Sequence, residues 1–81
     1  MIERFYVYAL RSLVRNYIYV GMTADIARRI QQHNDGKTFS TRPYRPFVLI
    51  YSEQAVDRQT ARKRERYLKS GVGKEFLKTL T

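Results

Sequence analysis

Apolar and aromatic residues fill both alternating sets of residues 4–10: Tyr6, Tyr8 and Leu10 on one side, Phe5, Val7 and Ala9 on the other. A period of two with both sets apolar predicts a strand covered on both faces. Residues 17–21 repeat that character and predict a second strand. The connection at residues 12–16, with Arg15-Asn16 at its tip, suits a hairpin. Beyond Gly21 the period lengthens. Ile26, Ile30 and His33 follow i, i+4, i+7 spacing and form the inward stripe of a helix. Thr23 offers the N-cap, with Asp25 in the first turn against the macrodipole. The helix stops at Asn34-Asp35-Gly36, where Gly36 can take the left-handed position. Residues 37–46 read as a basic loop containing both prolines of the chain. Residues 47–51 are an apolar run suited to a buried strand. Asp57 caps a second helix that ends at Ser70-Gly71, and residues 73–80 form a short third helix.

The order β-β-α-β-α-α implies an α+β fold, a three-stranded, mainly antiparallel sheet packed with helices. The 81 residues allow one domain, residues 1–81, near the lower size limit for folding on apolar burial alone. With no cysteine, neither disulfides nor thiolate-bound zinc contribute. No apolar run is long enough for a membrane span, and the N-terminus lacks the form of a signal peptide. These features lead to the expectation of a cytoplasmic protein without a membrane partner.

Charge narrows the function classes. Sixteen Lys+Arg against seven Asp+Glu give a net charge of +9. That excess on so small a surface favours polyanions, because each phosphate contact releases condensed counterions. No stretch pairs a basic face with a broad apolar one, as a helix lying on lipid requires.

The helical geometry then separates candidates. Arg29 flanks the inward stripe, three residues after Ile26 and four before His33. Arg28 is rotated from it by about 100° and points toward water. Arg29 is therefore the site candidate and Arg28 a general phosphate-attracting residue. A guanidinium can hold a phosphate while an imidazole one turn away bonds water or a tyrosine hydroxyl. His33 is equally compatible with a role at the helix C-terminus. Glu65 shares a helix face with Ala61 and Leu68, within the basic run Arg62-Lys63-Arg64-Glu65-Arg66. A carboxylate on an apolar stripe requires a partner. That partner is either a metal ion or one of Arg62, Arg66 and Lys69. Only one acid is so placed, which fits a single hydrated Mg²⁺ or Mn²⁺ rather than a two-metal centre. Tyr8 and Tyr19 come close across the hairpin, as core rings or as site phenols.

Tyr6-Val7-Tyr8, Tyr19-Val20-Gly21, Arg29 with His33, and Glu65 lie in the order and at the spacing of the GIY-YIG nuclease family, which the chain resembles over nearly its whole length. It is most similar to small stand-alone bacterial members, themselves similar to the nuclease domain of the excision-repair incision subunit. The resemblance implies a metal-dependent endonuclease that hydrolyses DNA phosphodiesters with one divalent cation, and a connection to DNA repair. It implies catalytic roles for Tyr8, Tyr19, Arg29, His33 and Glu65. Tyr19 would position or deprotonate water with help from His33, Arg29 would bind the scissile phosphate, and Glu65 would be the metal ligand. Three positions depart from the pattern. Tyr6 replaces glycine in the first motif, Met22 stands where repair nucleases carry lysine, and no asparagine follows in residues 74–78.

The loop bears on substrate choice. Lys37, Ser40, Thr41, Arg42 and Arg45 are interleaved with Phe39 and Tyr44. Cations with aromatic rings suit a groove in which unpaired bases stack. Together with Arg28 these residues form the expected nucleic-acid contact, with single-stranded or branched DNA favoured over smooth duplex. The alternative function is a nucleic-acid-binding module of the same fold with little or no catalysis. A third is a basic protein bound to structured RNA.

Overall fold

The computed structural model describes residues 4–81; Met1, Ile2 and Glu3, the start of the N-terminus read above for a signal peptide, lie outside the described residues. The strands are β1 (Phe5–Ser12), β2 (Ile18–Thr23) and β3 (Phe47–Ala55). The α-helices are α1 (Ile26–Asn34), α2 (Arg58–Lys69) and α3 (Gly71–Lys78). A short 3₁₀ turn, Arg42–Tyr44, interrupts the loop before β3. The fold is α+β, with an antiparallel sheet in the order β2-β1-β3.

Strand β1 is central and covered on both faces, as its two apolar sets predict. Val7 and Ala9 pack with Val20, Ala55, Ala61, Leu68 and Leu77, so α2 and α3 cover that face. Tyr8 and Leu10 pack with Phe47, Tyr19, Ile26 and Ile30, so α1 covers the other. The pleat thus sorts neighbouring residues into two layers.

A bulge keeps the sorting correct in β3. Ala9 pairs with Tyr51, but Leu10 pairs with Leu49, leaving Ile50 as the extra residue. The shift brings Phe47 opposite Ser12 and so onto the Tyr8 face; an unbroken register would put Val48 there. Asn34 fixes the same point from α1. Its Oδ1 accepts from the Phe47 amide at 2.6 Å and its Nδ2 donates to the Phe47 carbonyl at 3.2 Å.

Strands β1 and β2 each run two residues past their expected ends, to Ser12 and Thr23, and three further boundaries differ from expectation. Helix α1 is capped by Asp25, whose carboxylate accepts from the Arg28 amide at 3.1 Å. Thr23 instead ends β2, and its hydroxyl accepts from the Asp25 amide at 3.0 Å. The aspartate is the better cap because it lies next to the first helical residue. Strand β3 continues to Ala55 and is half-exposed rather than buried, because it is an edge strand. Helix α3 begins at Gly71, since Ser70 closes α2 through its amide and caps α3 through its hydroxyl. The remaining signals hold: Gly36 sits at φ 76° after α1, and Asp57 caps α2.

Candidate active site

The hairpin and α1 bring four of the expected residues together. Tyr8 lies on β1 and Gly21 is its partner on β2. A Cβ at Gly21 would come within 2.8 Å of the Tyr8 hydroxyl and 2.9 Å of the Tyr19 ring. Glycine fits there because both phenols lie over its backbone, and a side chain would push the rings. The Tyr8 and Tyr19 ring centroids are 6.1 Å apart, and the Tyr19 ring is 4.6 Å from the His33 imidazole.

His33 is fully buried, as is Tyr8. The Tyr8 hydroxyl lies 3.2 Å from His33 Nε2. His33 Nδ1 lies 2.8 Å from the hydroxyl of Thr41, which itself donates to the Thr38 carbonyl at 3.4 Å. The Thr38 carbonyl takes the threonine proton, so the Thr41 oxygen accepts from His33 Nδ1–H and Nε2 is left as the acceptor for Tyr8. The histidine bond therefore goes to Tyr8; with Tyr19 it shares only ring contact.

Arg29 is half-buried beside the phenols and Arg28 is exposed, the inequality that the helical rotation predicts. An Arg29 amino group donates to Gln32 Oε1 at 2.7 Å, which braces the side chain along α1. Burial raises the Tyr8 pKa, the Arg29 guanidinium opposes that rise, and the nearby Tyr19 adds to it. Burial, and then the Arg29 charge, hold the His33 pKa below its ordinary value, so the imidazole is neutral near pH 7. Arg29 is held above its ordinary pKa, chiefly by the Tyr8 hydroxyl. The cluster thus contains a fixed cation, two phenols and a neutral base whose Nε2 faces the Tyr8 hydroxyl.

Glu65 occupies the other layer. Helix α2 packs through Ala61 and Leu68 on the face opposite α1. Arg64 and Glu65 flank that buried stripe on opposite sides, about 50° either way from 3.6 residues per turn. Arg64 is clamped to β3: Nε and Nη2 donate to the two Glu53 oxygens at 2.8 and 2.9 Å, and the Tyr51 hydroxyl donates to the same carboxylate at 2.9 Å. This clamp turns Glu65 away from β3. Its carboxylate pairs with Lys69 at 3.4 Å and lines a cavity of about 240 Å³ with Arg62, Arg66 and Lys69. Among the described residues no three histidine or acidic side chains converge on a common point. Glu65 is the one carboxylate lining that cavity, so any cation there would meet a single protein carboxylate among Arg62, Arg66 and Lys69.

The loop residues separate into inner and outer groups. Thr41, expected at the nucleic-acid surface, is buried against His33. Tyr44, expected to stack bases, stacks on Tyr17 instead, with centroids 4.1 Å apart and planes 14° from parallel. Arg42 Nε donates to the Gly36 carbonyl at 2.8 Å, and Arg45 donates to the Arg42 carbonyl at 3.4 Å. Lys37, Ser40 and Phe39 are exposed. Threonine spacing alone gave no sign of the Thr41 contact, because the loop closes only when the 3₁₀ turn forms.

A model described as the GIY-YIG catalytic domain matches residues 4–78. A UPF0213 protein of Staphylococcus haemolyticus is 34% identical over 76 residues, covering 93% of this chain and 92% of its own length. A UPF0213 protein of Desulfotalea psychrophila is 44% identical over 54 residues, and the match spans 49% of that relative's length. The solution NMR structure of the UPF0213 protein BH0048 from Bacillus halodurans matches with a TM-score of 0.56 at 33% identity, over 96% of this chain and 85% of that one. The hairpin tyrosines, the arginine on α1 and the matched span together place the chain in the GIY-YIG catalytic domain family, a family of nucleases.

Proposed function

We propose that the protein is a divalent-metal-dependent endonuclease that hydrolyses DNA phosphodiester bonds, with single-stranded or branched DNA as its preferred substrate and a cytoplasmic role in DNA repair. The observation that carries this reading is the Tyr8–His33 bond beside Arg29, a neutral base and a permanent cation in one side-chain cluster.

In this reading Arg29 holds the scissile phosphate and Tyr19, the more exposed phenol, orients the attacking water. As the water oxygen bonds phosphorus, its proton passes to Tyr19. Tyr19 gives its own proton to Tyr8, and Tyr8 gives its own to His33 Nε2. The base ends as imidazolium and both phenols are restored. The P–O bond opposite the water breaks, and its electron pair leaves with the departing oxygen. Burial, and after it Arg29, lowers the His33 pKa, and a bound phosphate would offset the Arg29 part.

Glu65 would hold the hydrated Mg²⁺ or Mn²⁺, which when bound supplies charge neutralisation at the phosphate. Strand β2 is an edge strand, so a backbone passing along that edge has the Tyr19 layer on one side and the α2 layer on the other.

The test is nicking of labelled single-stranded, duplex and branched DNA with and without Mg²⁺ or Mn²⁺. Glu65→Gln is expected to lower the cleavage rate by about 10²-fold or more while DNA is still bound. Undiminished cleavage by a folded Glu65→Gln protein would remove the metal-ligand role. The absence of cleavage by the wild type would leave a nucleic-acid-binding module of the same fold.

A further inference from the structure

The loop residues that the sequence assigns to DNA are partly engaged by the loop itself, although Arg42 and Arg45 stay exposed. Arg42 and Arg45 bond loop carbonyls, and Thr41 faces inward. A second set of cations lies elsewhere, at the exposed edge of β2. A cavity of about 320 Å³ there is lined by Asn16, Tyr17, Ile18, Lys74 and Lys78.

Lys74 is the built element of this cavity. Its Nζ donates to the Ile18 carbonyl at 2.7 Å. That carbonyl points off the sheet edge, because the preceding Tyr17 carbonyl points inward and accepts from the Ser12 amide. Gly73 lets α3 start so close to the end of α2 that a Cβ would strike the Tyr67 carbonyl. The next residue, Lys74, is thereby aimed at the strand. One ammonium proton is used by Ile18, and two donors remain for a ligand. Lys78 follows one turn later on the same face of α3. Burial lowers the Lys74 pKa first, and Lys69 and Lys78 lower it further, so the three ammonium groups sit close enough to repel one another. The carboxylates nearby are already engaged: Glu65 with Lys69 at 3.4 Å and Glu75 with Lys78 at 3.3 Å. Lys74 faces no carboxylate among the described ion pairs. Lys69 also lines the Glu65 cavity, so one basic track runs from Arg62 and Arg66 through Lys69 to Lys74 and Lys78.

We infer that this track binds the phosphodiester backbone of the nucleic acid on the side of the Glu65 cavity away from Arg29, with Lys74 and Lys78 as phosphate ligands. A polyanion relieves the mutual repulsion of the lysines, and counterion release drives its binding. The inference rests on the nuclease reading for the direction of the strand but not for the binding itself.

The test is fluorescence anisotropy of a labelled single-stranded oligonucleotide across a salt series, in EDTA so that nothing is cut. Each lost phosphate contact lowers the slope of log K against log salt by about 0.7 for a single strand. The Lys74→Gln/Lys78→Gln protein is expected to lose about 1.4 from that slope and bind roughly tenfold more weakly near 0.1 M salt. Lys63→Gln, on the outer face of α2, is expected to leave the slope nearly unchanged. If the double variant does not fold by circular dichroism, Lys78→Gln alone is expected to lose about half as much slope. A wild-type slope in a folded Lys78→Gln or double variant overturns the track. Cleavage of the same DNA in Mg²⁺ separates the two readings. Wild-type cleavage with an unchanged slope removes only the track, and a reduced slope without cleavage by any form removes only the nuclease.

Discussion

Tyr8 and His33 are separated by 25 positions in sequence and by 3.2 Å in space, with both side chains fully buried. The contact joins the central strand to the last turn of α1, so the bond that supports the α1 layer is also the one proposed to carry the proton. Fold stability and chemistry therefore share one titration.

That sharing predicts a pH dependence. His33 is the only histidine, and burial followed by the Arg29 charge lowers its pKa in the folded protein. The unfolded chain binds a proton near the ordinary value of about 6.5 and the folded chain does not. Unfolding is thus favoured as pH falls below that value, and the loss continues down to the folded pKa. Urea midpoints are expected to fall between neutral pH and the carboxylate range. His33→Gln is expected to flatten the curve in that window; an equal slope in the variant would mean that other groups carry it.

Gly21→Ala tests the close approach of the two phenols. The backbone there is ordinary, so the methyl group does not strain it, but it would sit 2.8 Å from the Tyr8 hydroxyl. The rings must shift while the strand gains from lower unfolded-state entropy, and these offset to within about 1 kcal/mol. Stability is expected to change little while cleavage falls by about tenfold or more, because misplacement by a fraction of an ångström costs positioning. A fully active, fully stable variant would show that the contact is not needed.

Thr41→Val removes the Nδ1 partner of a buried imidazole. Leaving that N–H unpaired costs about 1–3 kcal/mol, and Thr41→Ser should restore most of it. Long-range ¹⁵N NMR of His33 reads the tautomer directly. The Nδ1–H form is expected in the wild type and the serine variant, and a mixture in the valine variant. Identical spectra in all three would assign Thr41 to packing alone.

Arg28 and Arg29 are adjacent and should respond differently. Arg29→Ala is expected to lower the cleavage rate by about 10²-fold or more, through loss of the fixed cation beside Tyr8 and Tyr19. Arg28→Ala removes one exposed charge and is expected to weaken DNA binding only a few-fold. Equal effects of the two substitutions on single-turnover rates would contradict the asymmetry.

The contrast between these arginines was legible because helical rotation is a local property. So were the two-sided cover of β1 and the glycine at the end of α1. Contacts made by the loop were not. Thr41 and Tyr44 read as surface residues because their neighbours are polar, yet the 3₁₀ turn delivers one to His33 and the other to Tyr17. The direction of Glu65 was half legible: its helix face follows from spacing, but the layer it occupies depends on which side of the sheet α2 covers. That choice is fixed by the Glu53–Arg64 clamp and by Ala61 and Leu68, which no periodicity ties to a particular face.

The Lys74–Ile18 bond also occupies one rung of the free margin of β2. A sheet margin normally invites a neighbouring molecule to add a rung, and here an ammonium already occupies the outward carbonyl of Ile18. A second copy docking strand to strand must first displace that cation and then accommodate Lys78 beside it. At that rung the margin presents an ammonium group where another strand would look for an acceptor.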